Sequence, residues 1–407
     1  MRERIHYGWI ICISCALLIM CSMGLAVNAF TVYMPVIREM NGFSNSQVSL
    51  IPTVRSFFAL IALFSGGKYF EKLGLRVGVM GAVFFAGSAF LLFSVAKSLL
   101  VYYAGAALTG FAYGFGGLVP IGLLINRWFH TKRGLALGLA SCGSGIGATI
   151  GPPITTMAIR AFGVQQTFFL EGLAILAIGV VVFLLVRVDP ADQGLQPYGT
   201  GTPQDVAQQN AKPRRDMRRG ESICVYVAIA AMGMAIITSP SYFGLHFTSS
   251  GFSDMISALA VSLFGLVLAG AKFGLGALID YIGCRRATGI AFLILFIGLV
   301  CCCALSFFPS PVLLFTATAL MALGMPPSTV GLPVWANDFS TPEKYPVTLR
   351  HFQTANMTGA FLGSSVPGVL ADRSGGSYLP GFALHALYAL IALVILQIIY
   401  RRREREA

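Results

Sequence analysis

Long apolar runs recur from one end of the sequence to the other. A helix needs about 20 apolar residues to cross the hydrocarbon core of a bilayer, and only helices or closed barrels satisfy their backbone hydrogen bonds there. Charged residues make up only 11% of the 407 residues, too few for a soluble globular protein. We therefore predict an all-α membrane protein with twelve transmembrane helices, at residues 8–34, 46–66, 75–96, 99–126, 133–160, 165–187, 222–247, 254–279, 286–308, 311–336, 346–371 and 378–400.

The two halves of the sequence repeat each other. A shift of 209 residues superimposes Gly42 on Gly251 and Tyr33 on Tyr242, and it aligns the loop motif described below. One register without a gap over this length indicates a tandem duplication. We predict two pseudo-symmetric six-helix bundles, residues 1–188 and 222–400, with a flexible cytoplasmic linker at 189–221 and a basic tail at 401–407.

Basic residues are distributed unequally between the two faces that this topology defines. Twenty-two of the 28 lysines and arginines fall on the side of the termini, four fall on the other side and two lie within helices. The positive-inside rule then places both termini in the cytoplasm of a plasma or inner membrane. The same asymmetry explains the net charge of +12 without a nucleic-acid partner.

The sequence contains no pattern that is typical of catalysis or metal binding. The nine cysteines lack metal-ligand spacing, and no Ser-His-Asp, HExxH or paired-carboxylate arrangement is present. Glycines at 143, 147 and 151 line one helical face for close packing, and a phosphate-binding loop is disfavoured because no strand precedes them. We expect no enzymatic activity, no cofactor and no metal.

A glycine-rich turn follows the second predicted helix and recurs after the eighth. Both copies fit G-x-x-x-[DE]-x-x-G-x-[RK], in which a carboxylate and cations flank a tight turn between helix ends. The residues are Gly67, Glu71, Gly74 and Arg76 in the first copy and Gly276, Asp280, Gly283, Arg285 and Arg286 in the second. With the duplication, this motif resembles the signature loop of the major facilitator superfamily. The resemblance implies a major facilitator fold with a central cavity, transport by alternating access, and a gating role for the motif.

The block from Asn126 to Pro153 carries a narrower resemblance. Its segments NRWF and KRGLA, its glycine run and the opening HYGWI resemble the oxalate/formate antiporter group and the related monocarboxylate transporters. In that group, two cationic positions in the eighth and eleventh helices hold the two charges of a dicarboxylate. Lys272 falls on the first position and keeps the charge, whereas Asn356 falls on the second and loses it. This departure implies a monocarboxylate substrate.

Two cationic residues lie deep inside predicted helices, where a charge is costly unless it faces water, a partner or an anionic ligand. Lys272 has no counterpart in the first half, because Leu63 occupies the equivalent position, and we expect it to hold a carboxylate. Arg55 lies roughly 14 Å deep, where it attracts or binds an anion in the cavity, forms a structural pair, or reaches outward toward the membrane surface. Further substrate contacts or gates are predicted at Asn28, Tyr33, Tyr242, Gln353 and Asn356, with an interfacial anchor as the alternative for the tyrosines.

The membrane potential constrains how such an anion could be taken up. Inward movement of one negative charge costs about 2.3 kcal/mol per 100 mV, so uptake requires a co-transported proton or an exchanged anion. Proton-coupling candidates are Lys272, Glu171 and His351, with packing or interfacial roles as the alternatives for the last two.

These observations lead to a functional hypothesis with two rivals. The sequence predicts a monomeric secondary transporter, surrounded by membrane lipid, that carries a small carboxylate such as lactate or formate by proton symport. One rival is an anion exchanger of the oxalate/formate type, in which a counter-anion replaces the proton. The other is an exporter of drugs or organic cations, which would require a buried carboxylate where this chain has Lys272.

Overall fold

The computed structural model describes residues 6–199 and 215–406, with the side chains of Arg133 and Glu406 excepted. The first five residues, the middle of the predicted linker and the last residue of the tail lie outside the described ranges. Within them the chain forms twelve helical segments that run back and forth between two faces. Numbered α1 to α12, they are Tyr7–Asn41, Asn45–Leu73, Leu75–Ser94, Leu99–Trp128, Arg133–Phe162, Val164–Leu185, Arg219–Ser249, Asp254–Ile282, Cys284–Ala304, Pro311–Phe339, Tyr345–Arg373 and Leu379–Glu406.

The predicted all-helical membrane fold is confirmed. Eleven of the twelve described segments are long and apolar enough to cross a membrane. The exception is α11, where Gln353 and Asn356 lower the hydropathy and the helix breaks between Gly363 and Val366. A polar helix is tolerated at membrane depth when protein covers it, and α11 packs against α7, α2 and α12.

The first segment is longer and less regular than the sequence suggested. A π-helix, Met20–Asn28, and a short 3₁₀ turn, Ala29–Val32, interrupt it before a final α-helical stretch, Tyr33–Asn41. Pro35 does not end the helix, which continues to Asn41 and is capped by Gly42. Pro35 lies in the first turn of the last stretch, where a missing backbone N–H leaves no hydrogen bond unmade.

The glycine face predicted on α5 is confirmed by its packing against α1. A Cβ atom at Gly147 would lie 2.7 Å from the Cα of Gly24, and one at Gly143 would lie 3.0 Å from the Cα of Ala16. The corresponding helices of the second half also pack through a glycine, since Gly363 of α11 contacts Met234 of α7. Backbone approach at these positions replaces the hydrophobic effect, which does not drive helix association in lipid.

The structure has two distinct ends. We call the end at which α1 begins and α12 finishes the terminal face, and the other end the opposite face. At the opposite face Asp372 of α11 caps the start of α2, because its carboxylate accepts hydrogen bonds from the backbone N–H groups of Asn45 and Ser46, both at 2.9 Å. This cap joins the first six helices to the last six.

The two copies of the glycine-rich motif lie at the terminal face. Gly74 and Gly283 end α2 and α8 with φ of 74° and 86°, values that favour glycine. Arg76 donates two hydrogen bonds to the carbonyl of Phe183 in α6, and its counterpart Arg285 pairs with Glu404 of α12. The basic residues therefore tie helices together within each half.

The described parts of the linker are attached to different halves. Before the gap, the backbone N–H of Tyr198 donates to the carbonyl of Trp128 at 2.8 Å, and the ring of Tyr198 packs against Trp9. After the gap, Asp216 pairs with Lys344 at 2.7 Å and accepts from the backbone N–H of Thr341 at 2.9 Å. These two contacts hold the pKa of Asp216 below its usual value.

Close backbone packing at Gly147 leads to the first testable prediction. Gly147→Ala should lower the free energy of unfolding by about 1–3 kcal/mol, because the new Cβ overlaps the backbone of Gly24. Thermal unfolding in detergent measures the effect. Gly134→Ala on the same helix is the matched control, since its Cβ would meet nothing within 4 Å. Equal melting temperatures for the two variants would contradict the packing argument.

Candidate functional site

The site is organised around the contact between α5 of the first half and α8 of the second. A Cβ at Gly265 would lie 2.6 Å from the backbone of Ala148, so the two helices touch backbone to backbone. One turn away, the hydroxyl of Ser262 donates to the carbonyl of Thr149. This contact brings the next polar residue of α8, Lys272, against the surface of α5.

Lys272 reaches across the boundary between the halves. Its Nζ donates to the Oγ of Ser144 at 2.8 Å and lies 3.4 Å from the carbonyl oxygen of Ser141. An ammonium has three donors and no acceptor, so two neutral oxygens leave one donor for a further group. Among the described residues no carboxylate forms an ion pair with Lys272. The arrangement is suited to an anion.

The side of α8 that carries Lys272 is open toward the terminal face. A Cβ added at Gly276, one turn after Lys272, would meet nothing within 4 Å, whereas Gly265 toward the opposite face is crowded. Asp280 and Glu71, the carboxylates of the two motifs, are also exposed. The region between Lys272 and the terminal face is therefore the accessible side of the site.

Arg55 of α2 lies nearer the opposite face. Its side chain is buried, with only 6% of the residue exposed, and its Nη2 donates to the Oγ of Ser241 in α7 at 2.8 Å. The phenol groups of Tyr113 and Tyr242 are close enough to interact with it electrostatically. No ion pair of Arg55 occurs among the described residues. Like Lys272, Arg55 is a cation that neutral groups surround.

The two tyrosines that the repeat relates have different environments. Tyr242 donates its hydroxyl to the carbonyl of Ser364 in α11 and lies in the contact between the halves. Tyr33 instead stacks on Phe168 within the first half, with ring centroids 3.9 Å apart. Its hydroxyl is close to Glu171, whose carboxylate accepts a hydrogen bond from Thr155. Glu171 and Tyr33 thus form a group of their own, apart from the two cations.

The remaining predicted residues are scattered. Asn356 is buried against Gly233 of α7, and its Oδ1 has no hydrogen-bond partner among the described residues. Gln353 is half-buried on α11, and Asn28 is half-buried at the end of the π-helix. His351 is exposed near the terminal face, where its Nδ1 lies 3.3 Å from the hydroxyl of Tyr226. The structure brings none of these four into contact with Lys272.

Sequence reasoning missed the partners of both cations. Ser141, Ser144 and Ser241 were not singled out, because a serine within an apolar helix commonly bonds to its own backbone. A signal was available for two of them. Ser141 and Ser144 lie three residues apart on the glycine-rich helix and so share the face that α8 approaches.

Comparison with known proteins identifies the family. Residues 16–273 and 222–407 match the sequence model of the Major Facilitator Superfamily, and together these matches cover most of the chain. The chain belongs to the Major Facilitator Superfamily. It is a multi-pass membrane transporter and not an enzyme.

The relatives of this transporter include several carriers of acidic compounds. It is 25% identical over 281 residues to the oxalate:formate antiporter of Oxalobacter formigenes, a match that covers 68% of this chain and 65% of that protein. It is 24% identical over 167 residues to monocarboxylate transporter 12 of Mus musculus, covering 41% and 34% of the two chains. The hexuronate transporter of Escherichia coli (strain K12) is 30% identical over 171 residues, covering 41% and 38%. The matches thus span less than two thirds of each relative.

Solved structures agree on the fold. A mutant of the nucleoside transporter NupG gives a TM-score of 0.72 at 13% identity, covering 97% of this transporter and all of that chain. A bacterial homolog of the human lysosomal transporter Spinster, in an inward-facing and unoccupied conformation, gives 0.69 at 14% identity and covers 98% of both chains. These similarities extend over nearly the whole transporter and confirm its architecture.

The two serines beside Lys272 lead to a second prediction. Ser144→Ala should raise the KM for transport about five- to thirtyfold, because the hydroxyl that positions the ammonium is lost, a cost of roughly 1–2 kcal/mol. Ser141→Ala is the control, since Ser141 contacts Lys272 through its backbone carbonyl and the variant keeps that atom. Initial uptake rates in proteoliposomes give both values. An unchanged KM for Ser144→Ala would remove Ser144 from the site.

Proposed function

We propose that this transporter carries a small monocarboxylate, such as lactate or formate, across a plasma or inner membrane by proton-coupled symport. The observation that carries the proposal is Lys272, a cation at the contact between the halves whose described partners are two neutral oxygens. A carboxylate would use the remaining donor of the ammonium and supply the missing negative charge. The relatives named for oxalate, formate and monocarboxylate support the same class of substrate.

The surroundings of Lys272 argue against the other transport hypotheses. A site for drugs or organic cations would present a carboxylate, and α8 presents an ammonium instead. The eleventh helix offers Asn356 where a second cation would be required for a dicarboxylate, and this amide faces Gly233. One central positive charge therefore suits a substrate with one negative charge. Exchange with a second anion stays the alternative mode of coupling, because one relative is named an antiporter.

Alternating access would follow from rocking of the two bundles, which we assign to residues 1–188 and 222–400. The positive-inside rule supports a cytoplasmic terminal face. In this structure the site is accessible from the terminal face and the halves are in contact at the opposite face, so the conformation would be closed toward the outside. In that conformation Asp280 and Glu71 are exposed. We propose that the motif carboxylates make contacts across the halves when the terminal face closes, which would give them the gating role.

Replacement of the central cation tests the proposal. Lys272→Gln should lower kcat/KM for uptake by about 100-fold or more, because a hydrogen bond to a charged group and the net charge of the site are both lost. The measurement is uptake of labelled lactate, formate, acetate and oxalate into proteoliposomes under an imposed pH gradient. Lys97→Gln, on an exposed loop, is the matched control.

Two outcomes of this assay would contradict the proposal. Normal uptake by Lys272→Gln would exclude the anion site at this residue. Movement of a lipophilic cation, with none of the four carboxylates carried by the wild type, would exclude the substrate class and leave the family membership intact. Lys272→Arg separates charge from shape, because it keeps the positive charge and should retain part of the activity.

Glu171 is the residue that we assign to proton coupling. Among the described carboxylates of the membrane helices it lies farthest from a helix end, and Thr155 and Tyr33 surround it. Its side chain can take up and release a proton, and neighbouring protein groups cover it, whereas His351 is exposed near the terminal face.

Neutralisation of Glu171 should uncouple transport from the proton. Glu171→Gln imitates the protonated acid, so accumulation driven by a pH gradient should be lost while anion exchange persists. Uptake with and without preloaded anion, at several gradients, distinguishes the two activities. His351→Gln is the control and should stay coupled. Gradient-driven accumulation by Glu171→Gln at the wild-type level would assign the proton to another group.

A further inference from the structure

Arg55 has an incomplete set of partners. A guanidinium carries five N–H donors, and Ser241 is the only hydrogen-bond acceptor that the described residues offer it. Only 6% of the residue is exposed, so few solvent contacts are open to the remaining donors. A buried charge is stable when it is paired and fully hydrogen-bonded, and a carboxylate matches the fork geometry of Arg better than a hydroxyl does. The remaining donors of the guanidinium are therefore suited to a carboxylate.

The same hydrogen bond joins the two halves of the transporter. Arg55 belongs to α2 and Ser241 to α7, which lie on opposite sides of the contact. The neighbouring polar contacts between the halves are between neutral groups. They are Ser56 with Ser364 at 3.3 Å, Thr31 with the carbonyl of Ser241 at 3.3 Å, and the N–H of Gly244 with Thr31 at 3.0 Å. Hydrogen bonds that involve a charged group are roughly twice as strong as neutral ones. Among the described residues, the bond to Ser241 is thus the only charged contact at this depth, and the charged cap of Asp372 lies about ten residues nearer the opposite face.

Arg55 and Lys272 are too far apart to hold one small carboxylate together. Arg55 follows the start of α2 by ten residues and Lys272 follows the start of α8 by eighteen. At 1.5 Å per residue these depths differ by about 12 Å. Neither cation has a charged counterpart in the repeat, where Phe264 corresponds to Arg55 and Leu63 to Lys272. The two cations therefore lie at different depths of the contact between the halves.

We propose that Arg55 is a latch that the substrate releases. A carboxylate that moves from Lys272 toward the opposite face takes over the guanidinium, the bond from Arg55 to Ser241 breaks, and the opposite face opens. The inference rests on the proposed function, because it requires a carboxylate substrate. The latch adds a second position that binds the carboxylate, at Arg55. It also explains why the empty transporter stays closed at the opposite face.

The latch has a consequence for the modes of transport. Whenever its opposite face opens, an empty transporter must break the hydrogen bond between Arg55 and Ser241, and no new hydrogen bond to a substrate replaces it. A loaded transporter replaces that bond with one to the carboxylate. Exchange of anion for anion uses loaded states in both directions, so it should be faster than net movement, which includes one empty return step.

Removal of the acceptor on α7 tests the latch. In proteoliposomes with equal pH on both sides and a clamped membrane potential, labelled formate is followed with and without formate inside, and lactate serves as the second probe. Ser241→Ala should raise net flux about tenfold, equivalent to about 1.4 kcal/mol, and leave exchange unchanged. Ser239→Ala is the matched control, because Ser239 is equally buried on the same helix and its hydroxyl has no described partner. This control should keep the wild-type ratio of exchange to net flux.

Variants of Arg55 give an independent test. Arg55→Gln removes the cation that binds the carboxylate near the opposite face, so the rate of exchange should fall to the rate of net flux. Arg55→Lys keeps the charge and should retain faster exchange. A ratio for Ser241→Ala within twofold of the wild type would overturn the latch, and so would an Arg55→Gln protein whose exchange remains faster than its net flux.

The same assay separates failure of the latch from failure of the proposed function. If the wild type carries neither formate nor lactate in either mode, the carboxylate proposal fails and the latch fails with it. If the wild type carries one of them and Lys272→Gln does not, the proposed function stands, and the ratios for Ser241→Ala and Arg55→Gln alone decide on the latch. Unchanged melting temperatures for these variants exclude misfolding as the cause.

Discussion

Close approach of backbones is the constraint on which the rest of this transporter depends. Lipid removes the hydrophobic drive for helices to associate, so the helices hold together through packing and hydrogen bonds between surfaces that fit. Here α5 supplies such a surface on two sides. Gly147 allows contact with α1 in the same half, and Gly145 allows contact with Ala269 of α8 in the other half. The helix that stabilises one bundle is therefore also the helix along which the second bundle meets it.

The position of the two cations follows from that contact. Since α5 and α8 touch through glycine and alanine, Lys272 needs no long reach to place its ammonium between the halves. Arg55 occupies an analogous place between α2 and α7, nearer the opposite face. Neither cation has a charged counterpart at the corresponding position of the other half. The repeat in the sequence accounts for the paired motifs, and the departures from it account for the two cations within the membrane helices.

Much of this arrangement could be predicted from the sequence. The membrane topology followed from apolar runs, the glycine face from a four-residue spacing, and the depth of Lys272 and Arg55 from a constant rise per residue. What a side chain contacts depends on rotation about each helix axis, which hydropathy does not specify. For this reason the environment of Tyr33 beside Glu171, the packing of Asn356 on Gly233, and the irregular turns of α1 required the structure.

The described ends of the linker belong to the helices that they join. Tyr198 is bound to the first six helices through the carbonyl of Trp128, and Asp216 is bound to the last six through Lys344 and Thr341. Each set of helices therefore holds one end of the linker at the terminal face, and the two ends are fixed independently of each other.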